Sequence, residues 1–145
     1  MRMTALILSI VIASSLAAQD KVNPKEQIEA SAKKIKELRK EQIETLKGVV
    51  ESSLKLAQNA RVELGEVLEA RVTLLKAELD TAEKESDRIA LYKKTLDALK
   101  EYEEIAIARH QAARGTYLPI LKIKAKRLEI EIAMEQAKVS EAKGK

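Results

Sequence analysis

The sequence contains no cysteine, no tryptophan and no phenylalanine among its 145 residues. Without cysteine no disulfide bond can hold the fold together, and no lipid can be attached to a cysteine behind the leading apolar segment. The aromatic side chains are three tyrosines, Tyr92, Tyr102 and Tyr117. So few aromatic residues exclude the stacking platforms on which single-stranded nucleic acids bind. We therefore expect neither a disulfide-linked domain nor a nucleic-acid partner.

Glycine and proline are also scarce, with four and two residues. Ala, Glu, Lys, Leu and Arg dominate instead, which is typical of long helices or coiled coils. The net charge is +4, and the basic residues alternate with Glu as they do on solvated helix faces. Two basic stretches, Lys33–Lys40 and Lys122–Arg127, are explained by solubility and by pairing along a helix. Contact with anionic lipids or with an acidic partner is the alternative.

Residues that could carry chemistry are few. His110 is the only histidine and has no cysteine to complete a metal site. Carboxylates such as Glu101, Glu103 and Glu104 lie near Lys100, which favours a solvated, ion-paired face. We therefore expect no catalytic residue, no metal, no cofactor and no small-molecule substrate. His110 is explained as a polar residue at the end of an apolar row, or as a pH sensor in a docking contact.

The first residues have the pattern of a secretory signal peptide. A short basic start, "MRMT", precedes the uncharged run "ALILSIVIASSLA", and small residues follow it. We expect residues 1–18 to be the signal peptide, with cleavage after Ala17 or Ala18, and the mature chain to be periplasmic or associated with the outer membrane. An uncleaved N-terminal anchor is the alternative, although the run is shorter than the roughly 20 residues of a membrane span.

Capping patterns predict where the first helices begin. Asn23 can cap the first helix and Pro24 suits its first position. Helical spacing of apolar residues continues as far as Ala60. Apolar residues at helical spacing predict a second helix; they are Leu64, Val67, Leu68, Leu75 and Leu79. A polar break at 83–87 follows it, with Ser86 as the N-cap of the third helix.

The fourth helix follows a tight turn. Gly115 is predicted to end the third helix by letting the chain turn tightly, and Thr116 to cap the fourth, with Pro119 in its first turn. Its apolar positions form two rows, which predict contact with more than one neighbour. The first row is Leu118, Leu121, Ala125, Leu128 and Ile132. The second row is Ile120, Ile123 and Ile130.

The chain repeats itself at an offset of 53 residues. The windows 40–79 and 93–132 align without a gap, and Gln58, Ala60 and Arg61 fall on Gln111, Ala113 and Arg114. We interpret this as two copies of a helical hairpin with turns near 61–64 and 114–117. The expected fold is all-α, with two tandem antiparallel helical hairpins forming an elongated bundle or coiled coil. The hairpins are expected at 19–85 and 86–142, and a frayed tail at 143–145.

The segment "QAARGTYLPILKIKAKRLEIEIAMEQAK" resembles the helical tip repeat of the TolC-like outer-membrane efflux family. In that family a basic residue and a glycine end one helix, a Ser or Thr follows, and a Val/Ile-Leu pair starts the return helix. Arg114, Gly115, Thr116, Ile120 and Leu121 take these places. The first copy resembles it too, with Val62 where the turn glycine would stand. Full-length members are longer and carry transmembrane β-strands, whereas this sequence has no strand pattern.

The resemblance implies that the hairpin tips dock the coiled-coil tips of adaptor proteins. The docking residues would be Arg61, Arg114, Gly115, Thr116 and Tyr117; Arg and Tyr are common at interface hot spots. The function implied is that of an exported, non-enzymatic efflux-associated component, bound to an adaptor-type coiled coil or to itself. The alternative is a periplasmic coiled-coil holdase chaperone for outer-membrane proteins. A turn that merely connects two helices, or a degenerate fragment of a longer efflux protein, also fits the sequence.

Overall fold

The computed structural model describes residues 23–59, 61–112 and 114–144, and within these ranges the chain forms four α-helices and no strand. The helices are α1 (Pro24–Gln58), α2 (Leu64–Leu79), α3 (Glu85–Gln111) and α4 (Leu118–Lys143). The expected all-α fold is confirmed. The predicted signal peptide, residues 1–18, lies outside the described residues, as do Ala60, Ala113 and Lys145. None of the described helices is both long enough and apolar enough to cross a bilayer.

The helices pack as two hairpins joined by α2. In the first hairpin α1 packs on α2, and in the second α3 packs on α4. α2 also packs on α3 and α4, so it is the helix through which the first hairpin contacts the second. The expectation that α4 touches more than one neighbour is confirmed, because α4 contacts both α3 and α2.

The core lies between α2, α3 and α4. Its buried residues come mostly from these three helices, and α1 contributes Val50 and Ala57. The core residues without solvent contact are aliphatic, as close packing of a helical interior favours. They are Ala57, Val67, Leu99 and Ile123.

Only one of the three predicted helix caps is confirmed. The side chain of Asn23 accepts a hydrogen bond from the backbone N–H of Lys25 at 3.1 Å, and Pro24 is the first residue of α1. The prediction for Ser86 is wrong, because α3 begins at Glu85 and Lys84 is its N-cap. Two acidic residues in the first turn of α3 stabilise its positive end without a capping side chain.

The predicted cap of α4 is also wrong. Tyr117 is the N-cap, Leu118 is the first helical residue and Pro119 lies in the first turn, as expected. Had Thr116 been the cap, Pro119 would be the third helical residue. A capping side chain bonds to the N–H of the second or third helical residue, and proline has none to offer at the third.

The two apolar rows of α4 differ in burial. Ile120, Ile123 and Ile130 of the second row are buried. The first row is exposed along its whole length. Because both rows are apolar, α4 covers the core with one and leaves the other on the surface.

The N-terminal part of α1 reaches beyond the end of α2, the helix on which α1 packs. α1 has 35 residues and α2 has 16, so they measure about 52 and 24 Å at 1.5 Å per residue. Arg39 is level with the end of α2, where its guanidinium donates to the carbonyl oxygen of Asp80 at 3.5 Å. Every side chain of 23–42 is exposed, including the apolar Ile28, Ile35 and Leu38. We call residues 23–42 the arm.

Charged side chains also join the helices. Glu103 is half-buried and accepts a hydrogen bond from Nε of Arg127 at 3.0 Å, which links α3 to α4. Lys100 pairs with Asp97 instead. The expectation of a solvated carboxylate face near Lys100 is therefore wrong for Glu103.

Three polar side chains lie buried where α2 meets α3. Arg71 donates to the carbonyl oxygen of Lys94 at 3.4 Å, and Glu78 lies 4.0 Å from Nζ of Lys94. Thr95 is buried beside them. Within the described residues, Nε of Arg71, Oε2 of Glu78 and Oγ1 of Thr95 have no hydrogen-bond partner. Burial raises the pKa of the neighbouring Tyr102 phenol, and the positive charge of Arg71 partly offsets that rise.

Candidate protein-docking site at the paired hairpin turns

Both hairpin turns lie at the same end of the molecule, which we call the turn end (residues 59, 61–63, 112 and 114–117). A cleft of about 420 Å³ opens between them. The first hairpin lines it with Gln58, Val62, Glu63 and Leu64, and the second hairpin with Ala106, Arg109, Arg114, Gly115, Thr116 and Pro119. The cleft therefore exists only because the two turns are held side by side.

The two turns have the same backbone hydrogen bonds. The N–H of Arg61 donates to the carbonyl oxygen of Leu56 at 2.9 Å, and the N–H of Arg114 donates to that of Arg109 at 2.9 Å. Both members of the second pair stand 53 positions after those of the first. Both helices end in the same way, so the sequence repeat is matched by a repeat in backbone structure.

One side chain crosses between the hairpins at the turn end. The guanidinium of Arg109, near the end of α3, donates a hydrogen bond to the carbonyl oxygen of Ala57, near the end of α1. The carbonyl groups of a last helical turn lack partners within their helix, and a cation there also meets the negative end of the helix. Arg109 therefore fixes the position of one turn relative to the other.

The second turn carries a ring contact on its surface. The rings of His110 and Tyr117 lie with their centroids 5.5 Å apart at an angle of 57°. Nδ1 of His110 is 3.2 Å from the carbonyl oxygen of Gly115, a contact that is a hydrogen bond when Nδ1 carries a proton. His110 is exposed, and these two contacts of its ring lie within the second turn. The ring of Tyr117 is thus held in place while 54% of the residue stays exposed.

The structure places the five predicted docking residues at one end and exposes all of them. Arg114, Gly115 and Thr116 line the cleft. Arg61 lies on the first turn and Tyr117 at the start of α4, and neither lines it. The prediction that Gly115 ends α3 is wrong, because α3 ends at Gln111 and Ala112 is its C-cap. Gly115 does not adopt a left-handed backbone, and a methyl group there would make an ordinary contact, 3.8 Å from Cβ of Arg109.

Sequence reasoning missed Arg109 and Glu63. Arg109 was overlooked because a basic residue near a helix end is common and does not indicate which carbonyl it reaches. Its position 53 residues after Leu56 could have marked it, because a charged residue there replaces an apolar one of the first copy. Among the described residues that line the cleft, one is acidic, and it is Glu63.

The turn end is electropositive. The described residues of the turn end and of its cleft include three arginines, Arg61, Arg109 and Arg114, and one acidic residue, Glu63. Arginine presents a planar donor group suited to carboxylates and to aromatic faces. The described residues contain no group of His, Asp and Glu side chains arranged to hold a metal ion. What this arrangement offers chemically is recognition of an acidic, partly apolar surface.

Compared with protein-family models, with curated protein sequences and with solved structures, the chain matches none of them.

Proposed function

We propose that the chain is an exported, non-enzymatic helical protein that engages partner helices through its turn end, as a TolC-like efflux-associated component of the periplasm. The single observation that carries the proposal is the side-by-side placement of the two turns, which forms a cationic cleft flanked by an exposed tyrosine. A connection that served only to reverse the chain would need neither the second turn beside it nor a fixed arginine between them.

The chemistry of the turn end defines the partner. Arg61 and Arg114 are exposed cations, and Tyr117 presents a ring held against His110. Arg and Tyr recur among the residues that carry most of the binding energy of protein interfaces. Val62 and Pro119 add apolar surface to the cleft. A helical hairpin tip with a small apolar side chain flanked by carboxylates fits this surface, and this is the kind of partner that we propose.

A second candidate is a periplasmic holdase chaperone, and one observation favours it. The arm exposes Ile28, Ile35 and Leu38 on a thin helix that no described residue covers. Exposed apolar patches of this kind can bind unfolded polypeptide. This activity would use the arm and leave the turn end idle, so the two candidates predict different binding surfaces.

Copurification from cells separates the two candidates. The charge-reversal variant Arg61→Glu/Arg114→Glu is compared with the matched control Lys76→Glu/Lys93→Glu, which reverses two exposed lysines away from the turn end. We expect the first variant to lose one specific helical partner and the control to keep it. Equal recovery of that partner by both variants contradicts the proposal. Recovery of many outer-membrane proteins, lost on substituting Ile28 and Ile35 by serine, supports the chaperone instead.

A further inference from the structure

The exposed row of α4 has a buried counterpart in the first hairpin. Shifting the row back by 53 residues places it on α2, where Leu68 and Leu75 are 7% and 4% exposed. Their equivalents Leu121 and Leu128 are 48% and 46% exposed. The α2 row is buried because the second hairpin packs on it: Arg71, between the two leucines, donates to the Lys94 carbonyl of α3. The α4 row is the equivalent surface, and in the described residues it is exposed.

α1 has exposed apolar residues at the positions where α3 contacts the first hairpin. One row of α3 faces the first hairpin: Arg88 donates to the carbonyl oxygen of Leu79 at 3.4 Å, and Arg109 donates to that of Ala57. The equivalents of Arg88 and Arg109 on α1 are Ile35 and Leu56, and both are exposed. Val49, the equivalent of the buried Tyr102, is exposed as well. α1 therefore carries an apolar row where α3 carries the row that contacts a preceding hairpin.

We propose that α4 of one copy packs on α1 of a second copy, repeating between chains the contact that α2 makes with α3 within one chain. The α1 row recurs at seven-residue steps, the spacing by which helices pack along their length, and is apolar except at Gln42, which lies between Ile35 and Val49. In the described residues α1 and α4 do not pack on each other within a chain, so each row remains open to another molecule. The inference does not depend on the proposed partner of the turn end.

The charges of one stretch of α1 and one stretch of α4 are complementary. Residues 24–40 contain six Lys and Arg and three Glu, a net charge of +3. Residues 128–140 of α4 contain three Glu and one Lys, a net charge of −2. Glu129, Glu131 and Glu135 each pair with a basic residue of their own helix, but all three carboxylates are exposed, where ion pairs contribute little to stability. Residues 118–127 of α4 hold four basic residues and no acidic one, so the opposite charges are confined to the stretches 24–40 and 128–140. Between those two stretches, opposite charge favours the pairing of α4 with α1 over that of α1 with α1.

The internal contact also fixes the register between the chains. Within one chain Arg88 of α3 reaches Leu79 of α2. Their equivalents are Ile35 and Ile132, so Ile132 of one copy is expected beside Ile35 of the next. The surfaces that meet are different, so the assembly is head-to-tail and closes into a ring or grows into a filament. All turn ends then point the same way.

Crosslinking tests the register directly because the chain has no cysteine of its own. Ile35→Cys and Ile132→Cys are introduced together into the full chain and treated with a short bismaleimide reagent. We expect covalent dimers and larger ladders. The matched control combines Ile132→Cys with Ile107→Cys, an exposed isoleucine of α3 outside both rows. Equal ladders from both variants, or none from the first, overturn the proposal.

Sedimentation equilibrium tests the pairing without a crosslinker. The full chain is expected to exceed the mass of one copy, 16.2 kDa, increasingly with concentration. Ile35→Lys or Ile132→Glu alone should weaken association by about tenfold or more, because either leaves a charge in an apolar contact. The double variant should restore it, since the two new charges pair between chains. A wild-type chain that stays monomeric, or whose association is unchanged by both substitutions and so uses another surface, contradicts the proposal.

Discussion

The guanidinium of Arg109 donates a hydrogen bond to the carbonyl oxygen of Ala57, and this bond ties the end of α3 to the end of α1. It is the described side-chain bond that joins the two hairpins at the turn end. The cleft between the turns depends on their relative position, so this side chain supports the candidate site together with the buried Leu64 and Ala106, which line the cleft from the two hairpins.

Removing that bond should loosen the turn end. Arg109→Met keeps most of the apolar stem of the side chain but leaves the Ala57 carbonyl without its partner. We expect the free energy of unfolding to fall by about 1.5–3 kcal/mol, as for hydrogen bonds to charged groups. Chemical denaturation measures the change, and Arg61→Met, at an exposed arginine without such a bond, is the control. Equal stability of both variants would show that the hairpins are held together elsewhere.

Replacing Thr95 by valine should make the folded chain more stable. Its hydroxyl is buried and has no hydrogen-bond partner among the described residues. An unsatisfied buried hydroxyl costs about 1–3 kcal/mol, so Thr95→Val should raise the free energy of unfolding by about 1 kcal/mol. Thr73→Val is the matched control, because the Thr73 hydroxyl bonds to the Glu69 carbonyl at 2.9 Å on an exposed face. A loss of stability in Thr95→Val alone would mean that the hydroxyl has a partner in solution.

Tyr102 gives the fold a dependence on alkaline pH. Burial raises the pKa of its phenol above the ordinary value of 10.0. Above that value the unfolded chain loses the proton while the folded chain keeps it, so ionisation favours unfolding. The stabilising contribution is complete below about pH 10 and is lost as the pH rises through the folded pKa.

Denaturation at a series of pH values measures this dependence. Tyr102→Phe should lose less stability than the wild type between neutral pH and about pH 11, because it has no phenol to ionise. Tyr117→Phe, at an exposed position, should keep the wild-type slope. A Tyr102→Phe curve parallel to that of the wild type would contradict the assignment.

Gly115 should tolerate a side chain. Its backbone does not require glycine, and a methyl group there makes only an ordinary contact with Arg109. Gly115→Ala should raise the free energy of unfolding by about 0.4–1 kcal/mol, because the unfolded chain becomes less flexible. Loss of partner binding with stability retained would place Gly115 in the interface, whereas a loss of stability would mean that the turn does need glycine.

Much of the fold could be predicted from the sequence, because its signals are local. Asn23 followed by Pro24 fixed the start of α1, and the offset of 53 residues indicated two hairpins. The caps at Ser86 and Thr116 failed because neighbouring residues competed: two acidic residues at the start of α3, and Pro119 in α4. A local sequence pattern does not show which of several neighbouring residues determines where a helix begins.

The candidate site was harder to predict because it depends on contacts between distant residues. Arg61, Arg114, Gly115, Thr116 and Tyr117 could be named from the turns, but not the bond from Arg109 to Ala57. Periodicity also could not decide which apolar row of α4 is buried, since both have helical spacing. That choice depends on where α2 and α3 lie, and the sequence of α4 does not encode it.

Photo-crosslinking in the cell from position 117 tests the central claim most directly. A photoreactive residue replaces Tyr117, and the same residue at Glu104, exposed on α3, is the control. The account predicts that position 117 captures the coiled coil of one defined partner protein and that Arg61→Glu/Arg114→Glu abolishes this capture. Capture of the same proteins from both positions, or capture of only the chain itself from position 117, would contradict it.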